Sequence, residues 1–161
     1  MLLLRHATPA DVPAIAAVEA ACFPAAEAAS EASFERRVAA FGNHFYLLFR
    51  DGELVSFVNG FVTDLETLTD EMYANAAMHN EAGRWQMVFG VDTIPAARRN
   101  GYAAALLRQM IAEARIQGRA GLVLTCKDHM VHYYAKFGFV SEGLSESDHG
   151  GAVWYQMRLT F

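Results

Sequence analysis

The chain has 161 residues, 53% of them hydrophobic and 19% charged, with a net charge of −5 and a mean hydropathy of +0.12. One domain over residues 1–161 can bury roughly two-thirds of its unfolded surface and fold without metal or disulfide staples, and this apolar content excludes a disordered chain. The acidic balance carries no basic stripe for nucleic acid, and no run approaches the roughly 20 apolar residues of a bilayer span.

Two cysteines, Cys22 and Cys126, are too few for a disulfide framework and point to a reducing, cytoplasmic setting. The apolar run at Met1-Leu2-Leu3-Leu4 is cut by Arg5, too short for a secretory signal. Residues 2–5 read as a first strand. Thr8-Pro9-Ala10-Asp11 then opens a helix, with Thr8 or Asp11 as its cap and proline in the first turn. Val12, Ile15 and Val18 give that helix its apolar stripe. Phe23-Pro24 stops it, and the Ala-rich residues 20–33 read as a helix end, a loop and a second helix start.

Residues 45–49, the dipeptide Asp51-Gly52 and residues 54–62 predict a β-hairpin, since Asp-Gly suits a tight left-handed turn. Residues 64–78 read as an acidic helix carrying Asp64, Glu66, Asp70 and Glu71, and residues 86–91 as one strand. The clearest helix follows. Ala103, Leu106, Leu107, Met110, Ile111 and Ala114 recur on one face, and Gly118 supplies the stop. Leu122-Val123-Leu124 is an apolar run typical of a strand covered on both faces. Residues 129–137 form a short helix ended by Gly138, and residues 139–142 and 153–159 make a final hairpin. Strands alternating with helices, with hairpins at each end, predict a mixed sheet in an α/β or α+β domain.

Between the strand ending at Val91 and the long helix lies Arg98-Arg99-Asn100-Gly101-Tyr102-Ala103. A turn there presents backbone N–H groups at a helix N-terminus, which favours an anion such as phosphate. Gly101 lets a ligand approach the backbone, and Ala103 does not block it. The spacing fits neither a P-loop nor a dinucleotide fingerprint, and taken alone it also suits an ordinary basic loop.

The run Arg98-x-x-Gly101-x-Ala103, after an apolar strand and before a helix, resembles the signature of the GNAT superfamily of acetyl-CoA-dependent N-acetyltransferases. Nearly the whole chain shares the likeness. Thr8-Pro9-Ala10-Asp11 through Phe23 is similar to the family's first strand and helix, and Gly52-Glu53-Leu54-Val55-Ser56-Phe57 to its hairpin strand. Leu124-Thr125-Cys126-Lys127-Asp128, followed by Val131-His132-Tyr133-Tyr134-Ala135-Lys136-Phe137-Gly138-Phe139, resembles the arylalkylamine (serotonin) N-acetyltransferase branch. The resemblance implies a single-domain α+β fold with a mixed, mostly antiparallel central sheet flanked by helices.

It also implies roles. Phe89, Gly90 and Val91 would hydrogen-bond the pantetheine arm of acetyl-CoA, and Arg98, Arg99, Asn100, Gly101, Tyr102 and Ala103 would hold its pyrophosphate. Tyr134 matches the family's tyrosine general acid for the departing thiolate. It equally fits a core stripe with Met130, Tyr133 and Phe137, and Tyr133 is the alternative if the register differs by one. The branch carries a histidine pair on the strand before the signature, where this chain has Trp85 and Met87. His79, Glu81 and Asp92 flank that strand and could act through water, so no single base is named.

Other constellations read blandly. His129 and His132 lack a third metal ligand at suitable spacing, so no metal is expected. Cys126 reads as a small buried residue. Ser145-x-Ser147-x-His149 has no partner acid at convincing spacing for a serine triad and suits a hairpin loop lining an acceptor pocket. The expected activity is direct acetyl transfer from acetyl-CoA to a small primary amine in a ternary complex, with no nucleic-acid or membrane partner and with a homodimer left open. A protein or peptide amine is one alternative acceptor. A catalytically silent acyl-CoA sensor is the other reading.

Overall fold

The computed structural model describes residues 1–161. Residues 1–60 with 90–110 form one compact unit, and residues 61–89 with 111–161 form the other.

In the first unit, β1 (Leu2–His6), β2 (Phe45–Arg50), β3 (Glu53–Asn59) and β6 (Gly90–Thr93) pair antiparallel in that order, with β6 at an edge. The hairpin is as its sequence predicts. Arg50 faces Glu53 across Asp51 and Gly52, whose φ values of 50° and 84° make the left-handed two-residue turn. Two helices follow β1, α1 (Val12–Cys22) and α2 (Glu31–Phe41). The Thr8 N–H and hydroxyl both donate to Asp11 just ahead of α1, and the Ser30 hydroxyl caps α2 by accepting from the Ser33 N–H. Val12, Ile15 and Val18 of α1 and Phe34, Val38 and Phe41 of α2 are buried, joining Phe45, Leu47, Val55 and Phe57 in the core.

The second unit holds β4 (Val62–Thr63), β5 (Trp85–Val88), β7 (Gly121–Cys126), β9 (Tyr155–Thr160) and β8 (Val140–Leu144), paired in that order. The β5–β7 pair is parallel and the others antiparallel, the mixed pattern expected of an α+β chain. Leu122, Val123 and Leu124 are fully buried on β7, between β5 and β9, as their apolar run predicts. Two short helices, α3 (Asp70–Ala74) and α5 (Val131–Ala135), belong to this unit. The long helix α4 (Tyr102–Ile116) buries Leu106, Leu107, Met110 and Ala114 and leaves Ala103 and Ile111 half-buried. No helix is long and apolar enough to cross a membrane.

Two expectations change. Residues 64–78 are not one helix: only Asp70–Ala74 is α-helical, with a single 3-10 turn at Ala76–Met78. Side chains compete for the backbone before it, as Thr63 Oγ1 accepts from the Leu65 N–H and Asp64 Oδ1 from the Arg84 N–H. Residues 86–91 are not one strand either. Val88 is the last residue of β5 to pair with β7, Gly90 is the first of β6 to pair with β3, and Phe89 belongs to neither ladder.

Candidate functional site

The backbone change at Phe89 creates an open edge. On the β3 side, the Ile94 N–H donates to the Val55 carbonyl, and antiparallel alternation then turns Gly90 and Asp92 toward β3. Val91 and Thr93 therefore point their N–H and C=O groups away from it. Thr93 shows the result: its carbonyl accepts from the Cys22 thiol at 3.2 Å and from Arg98 Nε at 3.1 Å. Phe89, Gly90 and Val91 are all half-buried. The Phe89 ring meets Phe61 edge-on at 4.9 Å and lies tilted against Tyr73 at 4.8 Å.

Residues 98–103 form the turn that leads into α4. Arg98, Arg99, Asn100 and Gly101 are exposed, while Tyr102 and Ala103 are half-buried. Asn100 Nδ2 donates to the Ala97 carbonyl at 2.8 Å, which braces the turn from within. Gly101 has φ +75°, and nothing lies within 4 Å of where a Cβ would sit. Arg99 is also left-handed at φ 67°. The Ala105 N–H is the first to close onto the Gly101 carbonyl, so Tyr102, Ala103 and Ala104 have no intrahelical acceptor for their N–H groups. Free N–H groups, the dipole of a 15-residue helix and two exposed arginines make this turn suited to an anion.

Tyr134 sits on α5 and is 8% exposed. Its ring meets Tyr133 edge-on at 5.1 Å and Phe139 at 6.2 Å, so it is part of an aromatic cluster, with Tyr133 at the half-buried rim. Cys126 is buried with its thiol toward Met157 Sδ at 3.6 Å, and burial, with Asp128 nearby, pushes the thiol up to about 11. That is the chemistry of a structural cysteine and not of a nucleophile. His129 and His132 are exposed, and His79 Nε2 lies 3.3 Å from Glu81.

Ser147 meets an acid distant in sequence: its hydroxyl donates to Asp70 Oδ1 at 2.5 Å, and the Asp148 N–H donates to Asp70 Oδ2. The arrangement is still no serine triad, because the carboxylate takes the hydroxyl directly and the His149 ring stacks on Tyr73 at 5.4 Å. It anchors the loop before β9 to α3.

Sequence reasoning also missed a buried group. Glu19 and Arg37 are 7% and 4% exposed, and they belong with Asp92, at 1%, and Asn59, at 1%. Arg37 Nη1 donates to Asn59 Oδ1 at 3.3 Å. The signal was present: Glu19 lies on the stripe of Val12 and Ile15, and Arg37 on that of Phe34, Val38 and Phe41. A charge on an apolar stripe marks a buried ionisable group.

Residues 4–141 match the family model described as an acetyltransferase (GNAT) domain. Serotonin N-acetyltransferase of Mesocricetus auratus is 31% identical over 96 residues, which are 59% of this chain and 45% of that protein, so the match spans less than half of the relative's length. Among solved structures, the GphF GNAT-like decarboxylase in complex with isobutyryl-CoA superposes with a TM-score of 0.84 at 22% identity, covering 98% of both chains. Arabidopsis thaliana Naa50 in complex with the bisubstrate analogue CoA-Ac-MVNAL superposes at 0.77 with 13% identity, covering 99% of both. At those identities the superpositions speak for the fold.

Proposed function

The chain belongs to the GNAT acetyltransferase family, and from that membership we propose that residues 1–161 act as one domain that moves the acetyl group of acetyl-CoA onto the primary amine of a small molecule. The open turn at residues 98–103, at the head of α4, carries the reading. It offers the N–H groups, basic side chains and unobstructed glycine that a pyrophosphate needs. The outward backbone groups of Val91, on the half-buried stretch with Phe89 and Gly90, suit an amide-bearing pantetheine arm in the same way. The preference for a small amine is supported by the 31% identity to serotonin N-acetyltransferase. Two free thiols, Cys22 and Cys126, suit a reducing cytoplasm.

In this reading the turn and strand hold the thioester, and the amine attacks its carbonyl carbon directly. Holding both reactants in one complex supplies the rate advantage of proximity. The C–S bond breaks as the tetrahedral intermediate collapses, and Tyr134 gives a proton to the leaving thiolate. Thiol release from acetyl-CoA across a panel of small amines and N-terminal peptides tests the proposal. Release with small amines is expected. Release with peptides alone would move the acceptor to protein, and tight CoA binding without release would make the chain a sensor.

A further inference from the structure

Asp92 is 1% exposed, and no N–H or O–H donor of the protein reaches either of its carboxyl oxygens. It therefore holds no cap or turn in place. A carboxyl buried without donors is costly to keep, and such a group in a folded protein calls for an explanation. What faces it is chemistry. From α1 come the Glu19 carboxyl and the Cys22 thiol, from α2 the Arg37 guanidinium, and from β3 the neutral Asn59. Glu19 Oε2 is engaged by the Ala29 N–H at 2.9 Å. Two carboxyls so placed can bond to one another only by sharing a proton. Burial first, and then the Glu19 charge, raise Asp92 well above the ordinary carboxylate range, opposed by Arg37.

The pair backs onto the open strand. A Cβ on Gly90 would lie 3.1 Å from Asp92 Oδ1, 3.3 Å from Asn59 Nδ2 and 3.8 Å from Glu19 Oε1. Gly90 is itself half-buried between half-buried Phe89 and Val91. A side chain at position 90 would meet the buried acids, so glycine there leaves them beside the half-buried stretch of strand.

We propose that Asp92, paired with Glu19 behind Gly90, accepts the proton that the acceptor amine must lose. The proposal rests on the acetyl-transfer reading above and supplies the base that the sequence did not single out. An ordinary carboxylate is too weak a base for an ammonium group, whereas one raised by burial and a second acid is better matched to it. The step balances. An Asp92 oxygen takes one ammonium proton, directly or through one water, and the freed lone pair forms the C–N bond at the thioester carbon. The C–S bond breaks, and the second nitrogen proton leaves with the thiolate as the free thiol. Asp92 then returns its proton to solvent.

The test is the pH profile of kcat/KM for wild type, Asp92→Asn and Glu19→Gln, with acetyl-CoA and the fastest amine of the panel. Wild type should gain rate along one limb as pH rises. Glu19→Gln removes the neighbouring charge and should move that limb to lower pH, which a purely structural role would not do. Asp92→Asn, the shape of the neutral acid, should lose the limb and about 10²-fold or more in kcat, with calorimetric CoA affinity retained. If Asp92→Asn does not fold, the limb of Glu19→Gln decides alone. Wild-type turnover with both variants keeping the wild-type limb overturns the pair and leaves the transfer reading standing. Absence of wild-type turnover with every amine overturns both.

Discussion

Arg5 grips Asp11 with both guanidinium nitrogens, Nη1 to Oδ2 at 2.7 Å and Nη2 to Oδ1 at 2.8 Å. The same carboxylate accepts from the Thr8 N–H at 2.7 Å, so one side chain joins β1 to the start of α1. The Arg5 bond, reinforced by those from Thr8 and opposed by burial, lowers Asp11 from 3.8 to about 2. Its stabilisation is therefore complete above the ordinary carboxylate range and is lost as pH falls from about 3.8 through about 2. Asp11→Asn should cost about 1–2 kcal/mol at neutral pH, allowing for the exposed side of Arg5. Urea unfolding at neutral and acidic pH measures it, and the deficit should vanish in acid. A deficit that persists unchanged in acid would assign the effect to packing.

The turn proposed to hold the pyrophosphate, at the head of α4, yields a sharper test. Gly101→Glu places a left-handed residue and a negative charge where the phosphate should lie, while the open space around Gly101 spares the rest of the fold. Calorimetric titration of the folded variant should show CoA binding lost, with a melting temperature lowered by the left-handed backbone strain alone. Wild-type affinity in this variant would move the phosphate elsewhere.

Tyr134→Phe keeps the ring that packs against Tyr133 and Phe139 and removes the hydroxyl that would donate the proton. A fall in kcat of about 10²-fold or more is expected, with folding and CoA affinity preserved. Tyr133→Phe is the control, its side chain about 100° around the helix. Equal small effects would leave Tyr134 as core, and a large effect in Tyr133→Phe alone would shift the register of the tyrosine pair by one.

Glu66 and Glu71 are exposed, whereas Asp70 is spent on Ser147 and the Asp148 N–H. With the chain at −5, cationic amines should outpace neutral ones of equal size, and salt should narrow the ratio because screening acts over about 8–10 Å. A ratio independent of ionic strength would remove surface charge from acceptor choice.

What the sequence disclosed was local. Asp51-Gly52 specified its turn because backbone preference alone sets φ there, and the stripe from Ala103 to Ala114 specified α4 because its period is 3.6. The turn at residues 98–103 was legible for the same reason. What escaped depended on distant partners. Nothing within residues 86–91 says that Val88 pairs with β7 while Gly90 pairs with β3. Asp70 reaches Ser147 across 77 positions, and Glu19 meets Asp92 only because a helix packs on a strand. Glu19 and Arg37 did leave a trace, as charges on apolar stripes, and that trace led to Asp92, whose buried carboxyl oxygens accept no N–H.

Direct transfer within one complex is tested by measuring free thiol and N-acetylated amine together, by thiol titration and mass spectrometry, in a reaction started with acetyl-CoA and the amine panel. The two products should appear one for one, and thiol release should stop when the amine is withheld. A burst of thiol without amine, or acetyl-CoA left intact with every amine, would contradict it.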